Sequence, residues 1–165
     1  MIRPRASDDL DDCAAIAADV HDVDGYPSFL GDDTLLTFIT PPDALGAWVA
    51  IDDDHVVGHV VLRPRSAPGS VTLAARELGV SSKQLGFVAR LLVAPTARRR
   101  GVARLLVEHV VHEAHHRNLH AVLDVVTRDH AAIALYDASG WRKLGSHTMT
   151  LRSGGSLDLV VYAAP

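Results

Sequence analysis

The sequence predicts a single domain of the α/β (α+β) class over residues 1–165, with a mixed central sheet flanked by helices. Three observations predict it. Apolar, β-branched runs of strand length alternate with segments of helical spacing, in the order of a sheet with helices packed on it. No linker, repeat or low-complexity tract interrupts that order. At 165 residues the chain can bury one core and is short for two. A composition of 48% hydrophobic and 22% charged residues is that of a folding chain, far from the signature of disorder.

Ile2 to Arg5 reads as a short strand. Ser7 then caps a helix whose apolar positions are Leu10, Cys13/Ala14, Ala17 and Val20. Asp22 to Asp33, with Gly25, Pro27 and Gly31, reads as a loop, and Thr34 to Ile39 as a short helix stopped by Pro41 and Pro42. Ala47 to Ile51 and His55 to Arg63 are strands joined through Asp52-Asp53-Asp54 as a hairpin. Pro64 to Ser82 mixes turn residues, and no element is assigned to it. Leu85 to Val93 is a strand ending before Pro95. Gly101 to Arg117 is a helix carrying Val102, Leu106, Val110 and Ala114 on its apolar stripe. A buried strand follows at His120 to Val126. Asp129 to Ser139 is a helix that Gly140 ends in a left-handed turn. Strands at Arg142 to Leu151 and Leu157 to Ala163 close the chain as a hairpin around Ser153-Gly154-Gly155.

Bulk chemistry narrows the function. Sixteen basic against twenty acidic residues give a formal charge of -4, which implies no basic face for nucleic acid. The single cysteine, Cys13, has no internal disulfide partner and lies on a buried helical stripe, so it reads as a core residue. The segment from Met1 to Asp9 lacks the apolar stretch of a signal peptide, and no apolar run approaches the roughly 20 residues of a membrane span. The expectation is a cytoplasmic protein without a membrane partner.

The most informative stretch is Val93-Ala94-Pro95-Thr96-Ala97-Arg98-Arg99-Arg100-Gly101-Val102-Ala103, a basic, glycine-bearing turn between a strand and a helix. At a helix N-terminus the first N–H groups have no intrahelical partner and the peptide dipoles sum to partial positive charge, so an anion is stabilised there. Gly101 and Ala103 lack the bulk that would hold a phosphate off the backbone, and Arg98, Arg99 and Arg100 add charge around it. A pyrophosphate meets these demands.

Arg98-x-x-Gly101-x-Ala103 resembles the Q/R-x-x-G-x-G/A signature of the GNAT acetyltransferases, preceded here by Leu91-Leu92-Val93-Ala94-Pro95 as in that family. A second segment, Asp129-His130-Ala131-Ala132-Ile133-Ala134-Leu135-Tyr136-Asp137-Ala138-Ser139-Gly140-Trp141, is similar to the family's N-x-x-A-x-x-L-Y-x-x-x-G-F run and follows at the expected distance. The resemblance implies a GNAT-type acyl-CoA N-acyltransferase fold and acetyl-CoA as cosubstrate. On it, the amides from Arg99 through Val102 to Ala103 cradle the pyrophosphate, the backbone of Leu91, Leu92 and Val93 pairs with the pantetheine arm, and Asp129, at the asparagine position, joins the cofactor contacts. Tyr136 becomes the general acid that protonates the departing thiolate; an unperturbed tyrosine keeps that proton at neutral pH. An amine must shed a proton before attacking a thioester, and Glu77, His21, His59 and Asp124 are the bases available for it. The family's strand glutamate is missing, since Ala89 stands there.

His112-Glu113-Ala114-His115-His116 formally matches the zinc-peptidase pattern H-E-x-x-H. The match is incomplete: no glutamate follows Glu113, and Leu119 and Val122 stand where the extended pattern needs glycine and histidine. On the helical wheel His112 and His116 flank the apolar stripe and face solvent, so no metal is assigned to the chemistry. The implied function is transfer of an acetyl group to a primary amine of a small molecule or protein by direct attack. Its rival is a non-catalytic acyl-CoA-binding regulatory module, which would keep the turn but dispense with Tyr136. A homodimer is implied by the resemblance alone. The acceptor is written in no motif, because the segments around Val20 to Gly31 and Pro64 to Ser82 would set it.

Overall fold

A computed structural model describes residues 1–27, 34–152 and 154–165. The strands are β1 (Ile2–Pro4), β2 (Gly46–Asp52), β3 (His55–Arg63), β4 (Leu85–Val93), β5 (His120–Val126), β6 (Arg142–Thr150) and β7 (Ser156–Ala163). The helices are α1 (Leu10–Asp24), α2 (Leu35–Ile39), α3 (Pro68–Leu78), α4 (Val102–His116) and α5 (His130–Ala138). The strands form a mixed sheet in the order β1-β2-β3-β4-β5-β7-β6. The chain divides into two compact units, residues 1–62 with 90–110 and residues 63–89 with 111–165.

In the first unit β2 and β3 pair antiparallel across a turn in which Asp53 and Asp54 both have positive φ, 47° and 63°. That is the backbone a two-residue hairpin loop requires, and aspartate is among the residues that tolerate it. β1 adds to the outer edge of β2, with Ile2 opposite Ala50. One apolar cluster joins Cys13, Ile16, Ala17 and Val20 of α1 and Phe38 and Ile39 of α2 to Val49 and Leu92 of the sheet. Each large side chain so buried is worth at most about 1.5–3 kcal/mol. Towards α4, Gly58 leaves room for close approach: a Cβ there would sit 2.9 Å from Leu106 Cδ1 and 3.1 Å from both the Leu92 carbonyl oxygen and Val102 Cγ1.

In the second unit β4 and β5 run parallel over three residue pairs, Leu85↔His120 to Phe87↔Val122. β7 pairs antiparallel with β5 on one side and β6 on the other. Val71, Leu73, Ala74, Ala75 and Leu78 of α3 pack on Leu85, Phe87, Val122, Val161 and Ala163.

Three expectations need correction. Ser7 does not cap α1; a single turn over Ser7–Asp9 precedes the helix, and Asp9 accepts the Ala6 N–H at 2.6 Å and a forked pair of bonds from Arg3. α1 runs three residues into the expected loop, because Gly25, at φ 67°, is the first residue suited to a left-handed cap, its N–H reaching the His21 carbonyl. The unassigned stretch at 64–82 holds a full helix, α3, started by Pro68 in its first turn and ended by Gly79 at φ 67°. Residues 28–33 of the expected loop, Gly31 among them, and Ser153 of the last hairpin lie outside the described residues.

Candidate active site

The first unit carries the glycine-bearing turn. Within β4, Arg90 takes a left-handed φ of 55°, just ahead of Leu91 to Val93. A buried polar relay holds the backbone at this residue. His59 has no solvent exposure; its Nδ1 lies 3.2 Å from the Arg90 carbonyl oxygen and its Nε2 2.8 Å from Arg5 Nη1. Arg5 also donates to the Ile39 carbonyl at 2.6 Å. A guanidinium can only donate, so Nε2 of His59 accepts and Nδ1–H donates to Arg90. Burial, with the Arg5 charge beside it, pushes the imidazole down to about 4, which keeps it neutral in that tautomer. Leu92 is buried, while Leu91 and Val93 are half-buried.

Beyond β4, Pro95–Ala97 makes one turn and Arg98 is extended. Arg99 and Gly101 then take left-handed φ of 62° and 81°. Alternating handedness of this kind turns successive N–H groups toward a common concavity that suits an anion. The first bond of α4 runs from Leu105 N–H to the Gly101 carbonyl at 3.1 Å. The N–H groups of Val102, Ala103 and Arg104 therefore precede any intrahelical acceptor. A Cβ at Gly101 would meet nothing within 4 Å, so glycine is demanded there by the backbone and the space above it is open. A phosphate fits this turn.

The arginines are held by carboxylates. Arg98 makes a forked pair with Asp24 at the end of α1, at 3.1 and 2.5 Å, and Arg100 Nη2 lies 2.7 Å from Asp52 Oδ2. Arg99 is exposed. Neither aspartate stood out in the sequence, because α1 was expected to have ended and Asp52 belonged to the hairpin signal.

The second unit holds Asp124, Asp129 and Tyr136. Asp129 caps α5, its Oδ1 accepting the Ala132 N–H at 3.0 Å, a role that asparagine and aspartate fill equally well. Tyr136 is 6% exposed and packs against Trp141 and Tyr162, with ring centroids 5.5 and 6.0 Å apart. Asp124 on β5 is half-buried, and its Oδ2 accepts the Ser66 hydroxyl at 2.7 Å. Ser66, just ahead of α3, gave no signal in a stretch read as turns.

The other bases named from sequence are engaged elsewhere. Both nitrogens of His59 are committed to the relay. Glu77 pairs with Arg76, and His21 Nδ1 lies 3.2 Å from the Pro27 carbonyl. Glu113 pairs with Arg117 one turn on, which removes it as the base of a peptidase. Among the described residues no three or more His, Cys, Asp or Glu side chains gather as a metal site, and no helix is long and apolar enough to cross a membrane.

A strand leading into a glycine turn at a helix N-terminus, within a mixed sheet of this order, defines an acyl-CoA N-acyltransferase fold. The model of the acetyltransferase (GNAT) family matches residues 13–141, and the chain belongs to that family. By membership the protein is an N-acetyltransferase with acetyl-CoA as its cosubstrate. Solved structures agree in fold. The ribosomal-protein-alanine N-acetyltransferase of Brucella melitensis superposes with a TM-score of 0.70 at 23% identity, covering 99% of this chain and 98% of that one. NAA60 of Arabidopsis thaliana, solved with acetyl-CoA, gives 0.72 at 19% identity, covering 99% and 96%. The yncA protein of Salmonella typhimurium, solved with its cofactor acetyl-CoA, gives 0.68 at 20%, covering 99% and 91%. No curated protein matches the chain in sequence at a significant level.

Proposed function

We propose that this chain is a single-domain cytoplasmic enzyme that acetylates a primary amine of a small molecule or a peptide N-terminus. The observation that carries the cofactor side is the turn from Arg98 to Ala103, where left-handed residues and the start of α4 present N–H groups around an open glycine. In this reading the amides of Arg99 to Ala103 bind the pyrophosphate, with Arg98 and Arg100 supplying charge once released from Asp24 and Asp52. The backbone of Leu91, Leu92 and Val93, next to the Arg90 carbonyl that His59 holds, receives the pantetheine arm as an added strand would. Bound acetyl-CoA supplies a thioester, an acyl donor that an amine attacks directly.

The proton traffic falls to the second unit. Asp124 accepts the proton that the ammonium of the acceptor sheds, its carboxylate oriented by Ser66. Tyr136, packed by Trp141 and Tyr162, delivers a proton to the departing thiol, and Asp129 sets the start of its helix. The acceptor class draws support from the fold neighbours named for ribosomal-protein alanine, and a second protomer is part of the same reading by family likeness.

The test is calorimetric titration with acetyl-CoA followed by turnover on peptide and small amines, for the native chain and Tyr136→Phe. Saturable binding with turnover, and a kcat at least tenfold lower in Tyr136→Phe at unchanged affinity, is the expected result. Binding without turnover on any amine would favour the regulatory module, and no binding would overturn the reading.

A further inference from the structure

The histidines at the end of α4 take no part in the chemistry above. His112 and His116 stand four residues apart on one helix face. Their Nε2 atoms are 2.7 Å apart and their rings meet edge to face, centroids 4.2 Å apart. At that separation one Nε2 carries a hydrogen and the other presents its lone pair, so the two nitrogens already face each other.

We propose that His112 and His116 form a two-imidazole chelate for a divalent late transition-metal ion, namely copper, nickel or zinc, with water completing the coordination. Imidazole nitrogen suits these ions, whereas magnesium and calcium take oxygen donors. Metal–nitrogen bonds of about 2.0–2.1 Å place two neighbouring ligand nitrogens about 3.0–3.3 Å apart. Small side-chain rotations, opening the pair by a few tenths of an ångström, turn the hydrogen bond into a chelate.

The setting favours a cation. The last carbonyls of a helix carry partial negative charge. The Arg117 guanidinium, which would repel an ion, is bound to the Glu113 carboxylate and carbonyl. The helix end is rigid: Asn118, at φ 57°, donates its N–H to the His115 carbonyl and Leu119 donates to Ala114, both at 2.9 Å. His112 and His116 are both exposed, so solvent reaches the pair. With two protein ligands the site is open, unlike a closed structural zinc site.

The experiment is calorimetric titration of the tag-free, chelator-stripped chain with Ni2+ and Zn2+, and electron paramagnetic resonance with one equivalent of Cu2+. His112→Gln and His116→Gln are compared with His115→Gln, whose exposed side chain lies next to the pair but outside it. The expected result is one strong site per chain, weakened at least tenfold by either pair substitution and within twofold of native in His115→Gln, with two equivalent nitrogens on copper. Mg2+ in place of Ni2+ should give no heat. Native affinity retained in His112→Gln and His116→Gln, equal loss in His115→Gln, or a copper spectrum with fewer than two nitrogens would overturn the proposal. Thermal unfolding of each metal-free variant verifies that the fold is intact, so that a lost site is read as a lost ligand.

Discussion

Asp24→Asn should tighten acetyl-CoA binding. In the free protein the Asp24 carboxylate forks onto Arg98, so an incoming phosphate competes with it for the same guanidinium and is repelled by its charge. The pair is partly open to water, with side chains 34% and 41% exposed. Screening limits such a pair to about 0.2–1 kcal/mol. Removing the competitor therefore returns about 1.4- to 5-fold in affinity, at 1.4 kcal/mol per factor of ten. Asparagine keeps the shape of the side chain, so α1 and its Gly25 cap are left in place. Calorimetric titration with acetyl-CoA at low and at several-hundred-millimolar salt is the assay. The gain should shrink as ions screen the carboxylate. Unchanged or weaker binding by Asp24→Asn at low salt would show that Arg98 does not reach the phosphates, or that Asp24 positions it for them.

Three other outcomes follow from the same geometry. Gly101→Val puts a β-branched residue at φ 81°, a strain of about 1–3 kcal/mol; acetyl-CoA affinity should fall at least about fivefold as the turn relaxes, and an unchanged Kd would remove the turn from the site. His59 is held neutral at a value near 4 against about 6.5 unfolded. The unfolded chain thus binds the extra proton first, and stability present above pH 6.5 declines as pH falls towards 4, by up to about 3 kcal/mol; urea melts across that window should show a steeper pH slope for the native chain than for His59→Gln. Burial pushes the Cys13 thiol up to about 11, so it should resist iodoacetamide at pH 8 in the folded chain and react once urea unfolds it.

Strands were the most legible part of the sequence, since β-branched runs such as His55–Arg63 and His120–Val126 are bounded by turn residues on both sides. The helix α3 was hidden by its own punctuation. Pro68, Gly69 and Ser70 read as a turn, yet proline opens a first helical turn without loss, and Val71, Ala74, Ala75 and Leu78 recur with helical spacing after it. The glycine turn was legible because backbone chemistry at a helix start is local in sequence. The counter-ions Asp24 and Asp52, the Arg5–His59–Arg90 relay and the Ser66–Asp124 bond were not legible. Each joins residues brought together by strand pairing or helix docking, 48 to 74 positions apart in the case of Arg100–Asp52 and Arg98–Asp24, and no local pattern announces such a partner.

Gly58 lies far from the glycine turn in sequence, yet it governs how low α4 rides on the sheet. A single added methyl would press at once on Leu106, Val102 and the Leu92 backbone. Where the Leu106 and Val102 side chains do not turn aside, α4 must lift, and its first turn with the phosphate-facing amides lifts with it. A hydrogen atom on β3 thus acts as a spacer for the anion cradle, letting Val102 and Leu106 of α4 sit closer to the strand than a methyl there would allow.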